Sequence, residues 1–218
     1  MRVIAIDGPA GAGKSTVAKQ VSTTTGLPYL DTGAMYRCVA YAIQSRNIDI
    51  NDAIAVGDVA RTAKIDINQD TALLDNVDVS AFIRTTEINA IVSVIAAHTP
   101  VRDAMRQQQR EWISSHGGGV VEGRDIGTVV FPDATLKIFL TASPLVRAKR
   151  RVGQSGGDLE QVAAAIAERD YIDSTREDSP LKPSLDSHEV DSSDKDISDV
   201  VSEIVALFRS REKLTDHG

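Results

Sequence analysis

Cysteine is nearly absent from the chain. Cys38 is the only one, which excludes an internal disulfide and a cysteine-rich zinc site; its apolar neighbours on an expected helix make it a small core residue. The histidines, His98, His116, His188 and His217, are scattered without ligand spacing, and none is assigned to catalysis. Long hydrophobic runs are lacking too: Val129-Val130-Phe131 and Ile138-Phe139-Leu140 are far shorter than a membrane span. The amino terminus enters a strand without a signal-peptide pattern, so a cytoplasmic location is expected. A surplus of positive charge is also missing. The net charge of −7 argues against nucleic acid or an anionic membrane as a partner. No Asn-Lys-x-Asp run of the kind that reads guanine is found.

The remaining composition suits one sizeable core: 218 residues, 42% hydrophobic and 25% charged, give the expectation of a single domain over residues 1–218 with inserts, and of a monomer. The positive charge that exists is skewed, sixteen arginines against eight lysines. Arginine is the side chain for bidentate contact with phosphate, so several could converge on a small polyanion within an acidic protein.

The first sixteen residues organise the rest. An apolar run, Val3-Ile4-Ala5-Ile6-Asp7, leads into Gly8-Pro9-Ala10-Gly11-Ala12-Gly13-Lys14-Ser15-Thr16, which fits Gly, four residues, Gly-Lys-Ser/Thr. The context is a buried strand before the loop and, from about Lys14, a helix with Val17, Ala18 and Val21 on one face. The glycines allow consecutive N–H groups to point into one concavity, where they and the positive end of the helix meet a β-phosphate. Lys14 then reaches the β- and γ-oxygens, and the Ser15 hydroxyl takes one position on a Mg²⁺ that prefers phosphate and water oxygens. ATP with Mg²⁺ is the expected ligand.

Farther along, Gly26 and Pro28 end the first helix, residues 28–31 read as a strand, and Asp31-Thr32-Gly33 reads as a turn. A helix from Ala34 to about Arg46 carries Tyr36 and Arg37, which either face a cleft above the strand ends or are a packed tyrosine and an exposed arginine. Asn51 or Asp52 caps the next helix, and residues 64–84 read as short antiparallel strands with turns at Asn68-Gln69-Asp70 and Asp75-Asn76. Two helices follow, one with Ser93, the other with Arg102, Arg106 and Arg110 on one stripe. Arg106 and Arg110 are expected to form a charged outer face. Gly117-Gly118-Gly119 ends that helix. The strand Val120-Val121-Glu122 delivers a Gly123-Arg124-Asp125-Ile126-Gly127 turn to the sheet edge, where an active role is expected.

A further strand at residues 136–141 precedes a basic helix with Arg147, Lys149, Arg150 and Arg151, which residues 153–157 are expected to interrupt. With the helix after it, this reads as a lid with Arg147 and Arg151 toward the ATP phosphates. The other reading is a helical hairpin with a solvated basic face. A polar loop over residues 177–187, a fifth strand at His188-Glu189-Val190-Asp191, a helix over about residues 197–210 and a frayed tail complete the chain.

Several stretches together resemble the bacterial cytidylate kinases, a branch of the P-loop nucleoside monophosphate kinases: residues 6–15, Leu30-Asp31-Thr32-Gly33-Ala34-Met35-Tyr36-Arg37, residues 123–132, Asp78-Val79-Ser80 with Ile83-Arg84, and Glu168-Arg169-Asp170 followed by Asp173-Ser174-Thr175-Arg176. The resemblance implies an α/β fold with a five-stranded parallel sheet in order 2-3-1-4-5 flanked by helices. It implies a monophosphate-binding region over about residues 32–102, enlarged by a small β insert at about 64–84, and a mobile lid over about 147–173. It implies transfer of the ATP γ-phosphoryl to CMP or dCMP, with UMP poorer. Ser93, Arg102 and Asp125 match cytosine-binding positions, Thr32 lies near the acceptor, and Tyr36 belongs to the same acceptor set. Arg169 and Asp173 match sugar contacts, and Arg37, Arg124 and Arg176 match arginines that handle the acceptor phosphate or the transferring group. Lys14, Arg124, Arg176 and Arg151 are the catalytic candidates. The lid tip is short and glycine-rich, a departure that leaves open which of Arg147, Arg150 and Arg151 meets the nucleotide.

In such a site the acceptor phosphate is already an anionic nucleophile and needs no histidine or serine base. Aligning two anions is the task, and positioning supplies about 7–11 kcal/mol in favourable cases. For cytosine, Arg102 donates to O2 or N3, while Asp125 and Ser93 accept from the exocyclic amine; uracil would set an acceptor against a carbonyl oxygen. The alternatives are a related kinase for another nucleoside monophosphate such as UMP, or a non-kinase P-loop switch.

Overall fold

In the computed structural model, which describes residues 2–68 and 70–215, the elements run β1 (Arg2–Asp7), α1 (Lys14–Thr25), β2 (Tyr29–Asp31), α2 (Thr32–Ser45), α3 (Ala53–Thr62), β3 (Ile65–Ile67), β4 (Ala72–Leu74), β5 (Val77–Asp78), α4 (Thr86–Ala97), α5 (Thr99–His116), β6 (Gly118–Gly123), a π-helical turn (Ile126–Val130), β7 (Leu136–Thr141), α6 (Pro144–Ser155), α7 (Leu159–Thr175), β8 (His188–Asp191) and α8 (Ile197–Thr215). Gln69 of the expected turn, and His217, lie outside the described residues. Five strands form one parallel sheet in order β2-β6-β1-β7-β8, which is the expected 2-3-1-4-5 once the strands of the insert are left out of the numbering. The insert itself is a three-stranded antiparallel sheet, β3-β4-β5, with Ile65 opposite Leu74 and Leu73 opposite Asp78.

The chain divides into two compact units: Met1–Tyr29, Gly117–Thr175 and Ser179–Gly218 form one, Leu30–His116 and Arg176–Asp178 the other. In the first, β1 is continuous Val/Ile/Ala because β6 and β7 flank it and both faces are covered, the pattern of a central parallel strand. Ile4, Ile6, Val17, Val21, Val120, Ile138, Leu140, Val200, Ile204 and Phe208 form its core, through which α1 and α8 pack on the sheet. Gly26, at φ 72°, closes α1 in the left-handed conformation that ends helices without a Cβ penalty.

In the second unit, Asp52 rather than Asn51 caps α3, accepting from Ile54 N and Ala55 N at 3.0 Å each. The helices pack through Met35, Cys38, Ile43, Val56, Val59, Ile88, Ile95, Val101 and Met105, all buried. Gly57 and Pro100 fix the contact of α3 with α5; a Cβ on Gly57 would lie 2.5 Å from that of Pro100. Cys38 is the core residue the sequence suggests, and burial, then the Asp31 charge, pushes its thiol up to about 12.

Several local expectations change. Asp31-Thr32-Gly33 is a helix start rather than a turn: Asp31 caps α2 by accepting from Ala34 N at 2.9 Å. Gly117 alone ends α5, and Gly118 and Gly119 belong to β6. The segment after Arg124-Asp125 winds into a π-helical turn. The basic helix runs through Gly153 to Ser155, and the break falls at Gly156, φ 71°. Arg106 does not lie on a solvated face: its side chain is 14% exposed and pairs with Asp103 and Asp178, whereas Arg110 is exposed as expected. The last helix continues past Ser210 to Thr215, helped by an ion pair of Arg2 with Glu212; residues 216–218 of the tail expected to fray lie outside the described residues.

Candidate active site

The loop between β1 and α1 takes its shape from where its carbonyls go. Lys14 Nζ donates to the Pro9 carbonyl at 2.7 Å. Arg147 Nη1 donates to the Ala10 carbonyl at 2.9 Å, and Ala10 N donates to Asp170 Oδ1 at 3.1 Å. Arg150 Nη1 and the Ser192 hydroxyl both lie within hydrogen-bond reach of the Ala12 carbonyl, at 3.4 and 3.2 Å. With these oxygens tied by side chains, and with Gly11 at φ 77° and Gly13 at φ 89°, the loop takes the left-handed geometry that lets successive N–H groups share a concavity. Ser15 and Thr16 are exposed at the first turn of α1, where the helix dipole favours anions.

Arg147 is itself buried. Its Nε donates to the Ala142 carbonyl at 3.1 Å, and its Nη1 also pairs with Asp170. Arg151 is half-buried on the same helix.

Lys14 is buried, and desolvation, reinforced by the guanidinium groups of Arg124 and Arg169 against Glu122 and Asp173, holds its ammonium well below the usual lysine range. Arg124 responds oppositely. Burial works against its charge, but Asp173, Asp170 and Glu122 outweigh it and raise its pKa. Arg124 Nε donates to Asp173 Oδ2 at 2.8 Å. Within this unit the structure therefore brings together Lys14, Arg124, Arg169 and Asp173. The Tyr29 hydroxyl donates to the buried Glu122 carboxylate beside them.

Asp7 sets the turn that bears Arg124 and Asp125, and the motif reading passed it over. Its two carboxylate oxygens accept from Ile126 N at 2.8 Å and Gly127 N at 2.7 Å, so the end of β1 holds the π-helical turn directly. The signal was its place at the strand end immediately before Gly8. Burial pushes Asp7 up to about 6 despite those two amides, with a further push from Asp125. Since the folded value lies above the ordinary 3.8, ionising Asp7 opposes folding: this cost is absent below about pH 4 and fully developed above about pH 6. Wild type is thus expected to lose stability relative to Asp7→Asn as pH rises from 4.5 to 7, read as the difference in urea midpoints. A pH-independent difference would remove Asp7 as the titrating group.

The second unit holds Thr32, Tyr36, Arg37, Ser93, Arg102 and Arg176. Thr32 and Ser93 are buried on α2 and α4, and Arg176 is half-buried. Arg37 Nη2 donates to Asn89 Oδ1 at 3.3 Å. Arg84 Nη2 donates to Asp31 Oδ2 at 2.8 Å. Arg102 is 1% exposed, donates from Nη1 to the Ala96 carbonyl at 3.1 Å, and places its guanidinium 5.8 Å from the Tyr36 ring centroid.

Sheet order, loop and first helix define a P-loop kinase fold. The solved structures agree at the level of fold: a gluconokinase from Sinorhizobium meliloti 1021 superposes with TM-score 0.55 at 16% identity, covering 100% of this chain and 97% of its own, and a sugar kinase from Janibacter sp. HTCC2649 with TM-score 0.52 at 13% identity, covering 96% and 95%. The cytidylate kinase family model matches residues 4–210, and the chain belongs to that family. Among curated relatives, the bifunctional pantoate ligase/cytidylate kinase of Trichormus variabilis is 49% identical over 222 residues, covering 96% of this chain and 41% of the relative, and that of Prochlorococcus marinus strain NATL1A is 44% identical, covering 96% and 42%. The chain spans about two fifths of the length of these relatives. No helix among the described residues is long and apolar enough to cross a membrane.

Proposed function

We propose that this chain transfers the γ-phosphoryl group of ATP to CMP and dCMP, giving CDP and dCDP, as a cytoplasmic monomer. The observation that carries the reading is the phosphate loop, its carbonyls tied and Lys14 buried in it, in the same unit as the Arg124–Asp173 pair. The matched family and the kinase named in the relatives support cytosine nucleotides as the acceptor class.

In this reading the main chain from Gly8 to Thr16, with Lys14, holds the triphosphate. Arg147 contributes by holding the Ala10 carbonyl, and Arg151 meets the nucleotide from α6. Helices α6 and α7 are the lid, over about residues 147–173, and the second unit is the monophosphate-binding region. Mg²⁺ fits the donors present. The exposed Ser15 hydroxyl stands beside Lys14 and would hold the ion together with oxygens of the bound phosphates and water, the hard donors Mg²⁺ prefers. When bound, the ion would supply positive charge against the phosphate chain.

An acceptor phosphate oxygen forms a bond to the γ-phosphorus as the bond to the β–γ bridging oxygen breaks, that electron pair leaving with ADP. Arg37, Arg124 and Arg176 hold the acceptor phosphate and the charge that develops on the transferring group. Arg169 and Asp173 hold the sugar, and Ser93, Arg102 and Asp125 the base, with Thr32 and Tyr36 beside them.

A coupled ADP-release assay with CMP, dCMP, UMP, AMP and shikimate tests this. CMP and dCMP are expected to exceed UMP by about tenfold or more in kcat/KM, as one mismatched buried polar contact costs at least about 1.4 kcal/mol. Preference for AMP or shikimate, or tight GTP binding with no acceptor used, would overturn the assignment.

A further inference from the structure

Asp178 sits in the polar loop after α7, where nothing in the sequence singles it out. Residues Arg176–Asp178 nonetheless cluster with the second unit, although the chain on either side of them belongs to the first. The reason is visible on α5. Asp178 Oδ1 accepts from Arg106 Nη2, and the same oxygen lies 3.7 Å from Arg102 Nε. Arg106 is fixed in turn by Asp103, which accepts from its Nη1 at 2.8 Å. Arg102 and Arg106 stand one helical turn apart, so one carboxylate spans both. Side-chain exposures are 1% for Arg102, 14% for Arg106 and 20% for Asp178, so the carboxylate that spans the two arginines is largely shielded, whereas Asp103, at 66%, lies at the surface.

We propose that Asp178 is a positioning residue for acceptor recognition: its carboxylate fixes the plane of Arg102 and holds the segment bearing Arg176 against α5. The inference rests on the CMP reading above, in which Arg102 addresses the base and Arg176 the phosphate. The guanidinium of Arg102 has Nη1 on the Ala96 carbonyl, its Cζ over the Tyr36 ring, and Nε 3.7 Å from Asp178 Oδ1. A planar donor fork discriminates bases only when its angle is set, because hydrogen bonds weaken steeply off axis. Arg176 is two residues from Asp178, so the same anchor limits where that arginine can reach. One short loop thereby constrains donors assigned to both ends of the acceptor.

The test is steady-state kinetics of the full chain with CMP, UMP and ATP each varied, alongside thermal unfolding. Asp178→Asn keeps the shape and removes the charge. It is expected to raise KM for CMP about tenfold, to change kcat less than about twofold, to leave KM for ATP unchanged, and to narrow the preference for CMP over UMP severalfold, the pattern of lost acceptor binding. Asp178→Glu is expected to recover most of the CMP affinity. Arg106→Gln, which keeps Asp178 but loosens it, is expected to raise KM for CMP about threefold, and it carries the test if Asp178→Asn does not fold. Wild type that phosphorylates CMP, with variants matching it in KM for CMP or losing CMP and ATP affinity equally, would overturn this inference alone. Wild type inert toward CMP and dCMP but active on another acceptor overturns the acceptor reading, and this inference with it.

Discussion

Alanine at Lys14 is expected to lower turnover with ATP and CMP by at least about a hundredfold, about 2.7 kcal/mol of lost transition-state stabilisation, while the nucleotide-free protein unfolds no earlier than wild type. The two halves of this expectation have one cause. Lys14 is buried, faces Arg124 and Arg169, and its ammonium is disfavoured there before any phosphate arrives. Deleting it relieves a disfavoured charge and, in the proposed reaction, leaves the developing negative charge on the γ-phosphoryl oxygens without the lysine assigned to it. The bond to the Pro9 carbonyl is lost as well, which sets a limit on any gain in stability. Coupled-assay kinetics and a thermal melt on the same preparation decide it: normal kcat with a lowered midpoint would make Lys14 a structural residue and remove it from the reaction.

A change at Gly8 is expected to act on the fold itself. A Cβ there would lie 2.0 Å from the Leu140 carbonyl oxygen, at a backbone φ of 152° that side chains avoid. The oxygen belongs to a strand of the central sheet and has no rotamer by which to retreat. Gly8→Ala is expected to destabilise by about 3–5 kcal/mol, a large share of the about 5–15 kcal/mol of a whole domain. Gly153→Ala supplies the contrast. Gly153 is inside α6 with nothing within 4 Å of an added Cβ, so alanine there is expected to be neutral or to stabilise by up to about 1 kcal/mol. Urea denaturation of the two variants beside wild type is the measurement; equal midpoints for Gly8→Ala and wild type would mean that β1 and β7 part at no cost.

The elements that were legible in the sequence are those whose cause is local. The phosphate loop announces itself because glycines, lysine and hydroxyl must follow one another within nine residues. Strands at 136–141 and 188–191 and the helix stop at Gly26 needed only neighbours to be inferred. What escaped depends on partners far along the chain. Asp7 is an ordinary acidic residue until Ile126 and Gly127, more than a hundred positions away, present their N–H groups to it. Asp170 was inside a recognised stretch, yet its partners Ala10 and Arg147 lie on separate elements. Arg106 was expected outside because a stripe of arginines on a helix usually is; Asp178 reversed that.

One helix boundary failed for a different reason. Gly153 carries a propensity penalty of about 1 kcal/mol, enough to read as a break, but packing of α6 on α7 through Ala148, Leu159, Val162 and Ile166 outweighs it. The stretch expected as a turn after Glu122 instead winds into a π-helix over Ile126–Val130, whose first two amides are held by Asp7 from the end of β1.

The side chains fastened to the outward carbonyls of the phosphate loop bear on how the enzyme lets go. A cradle shaped during folding asks little further ordering of its ligand's surroundings, which favours capture. By the same token it gains little by slackening afterwards. In the proposed reaction, departure of the spent nucleotide then has to come from a looser grip on two phosphates than on three rather than from any relaxation of the cradle.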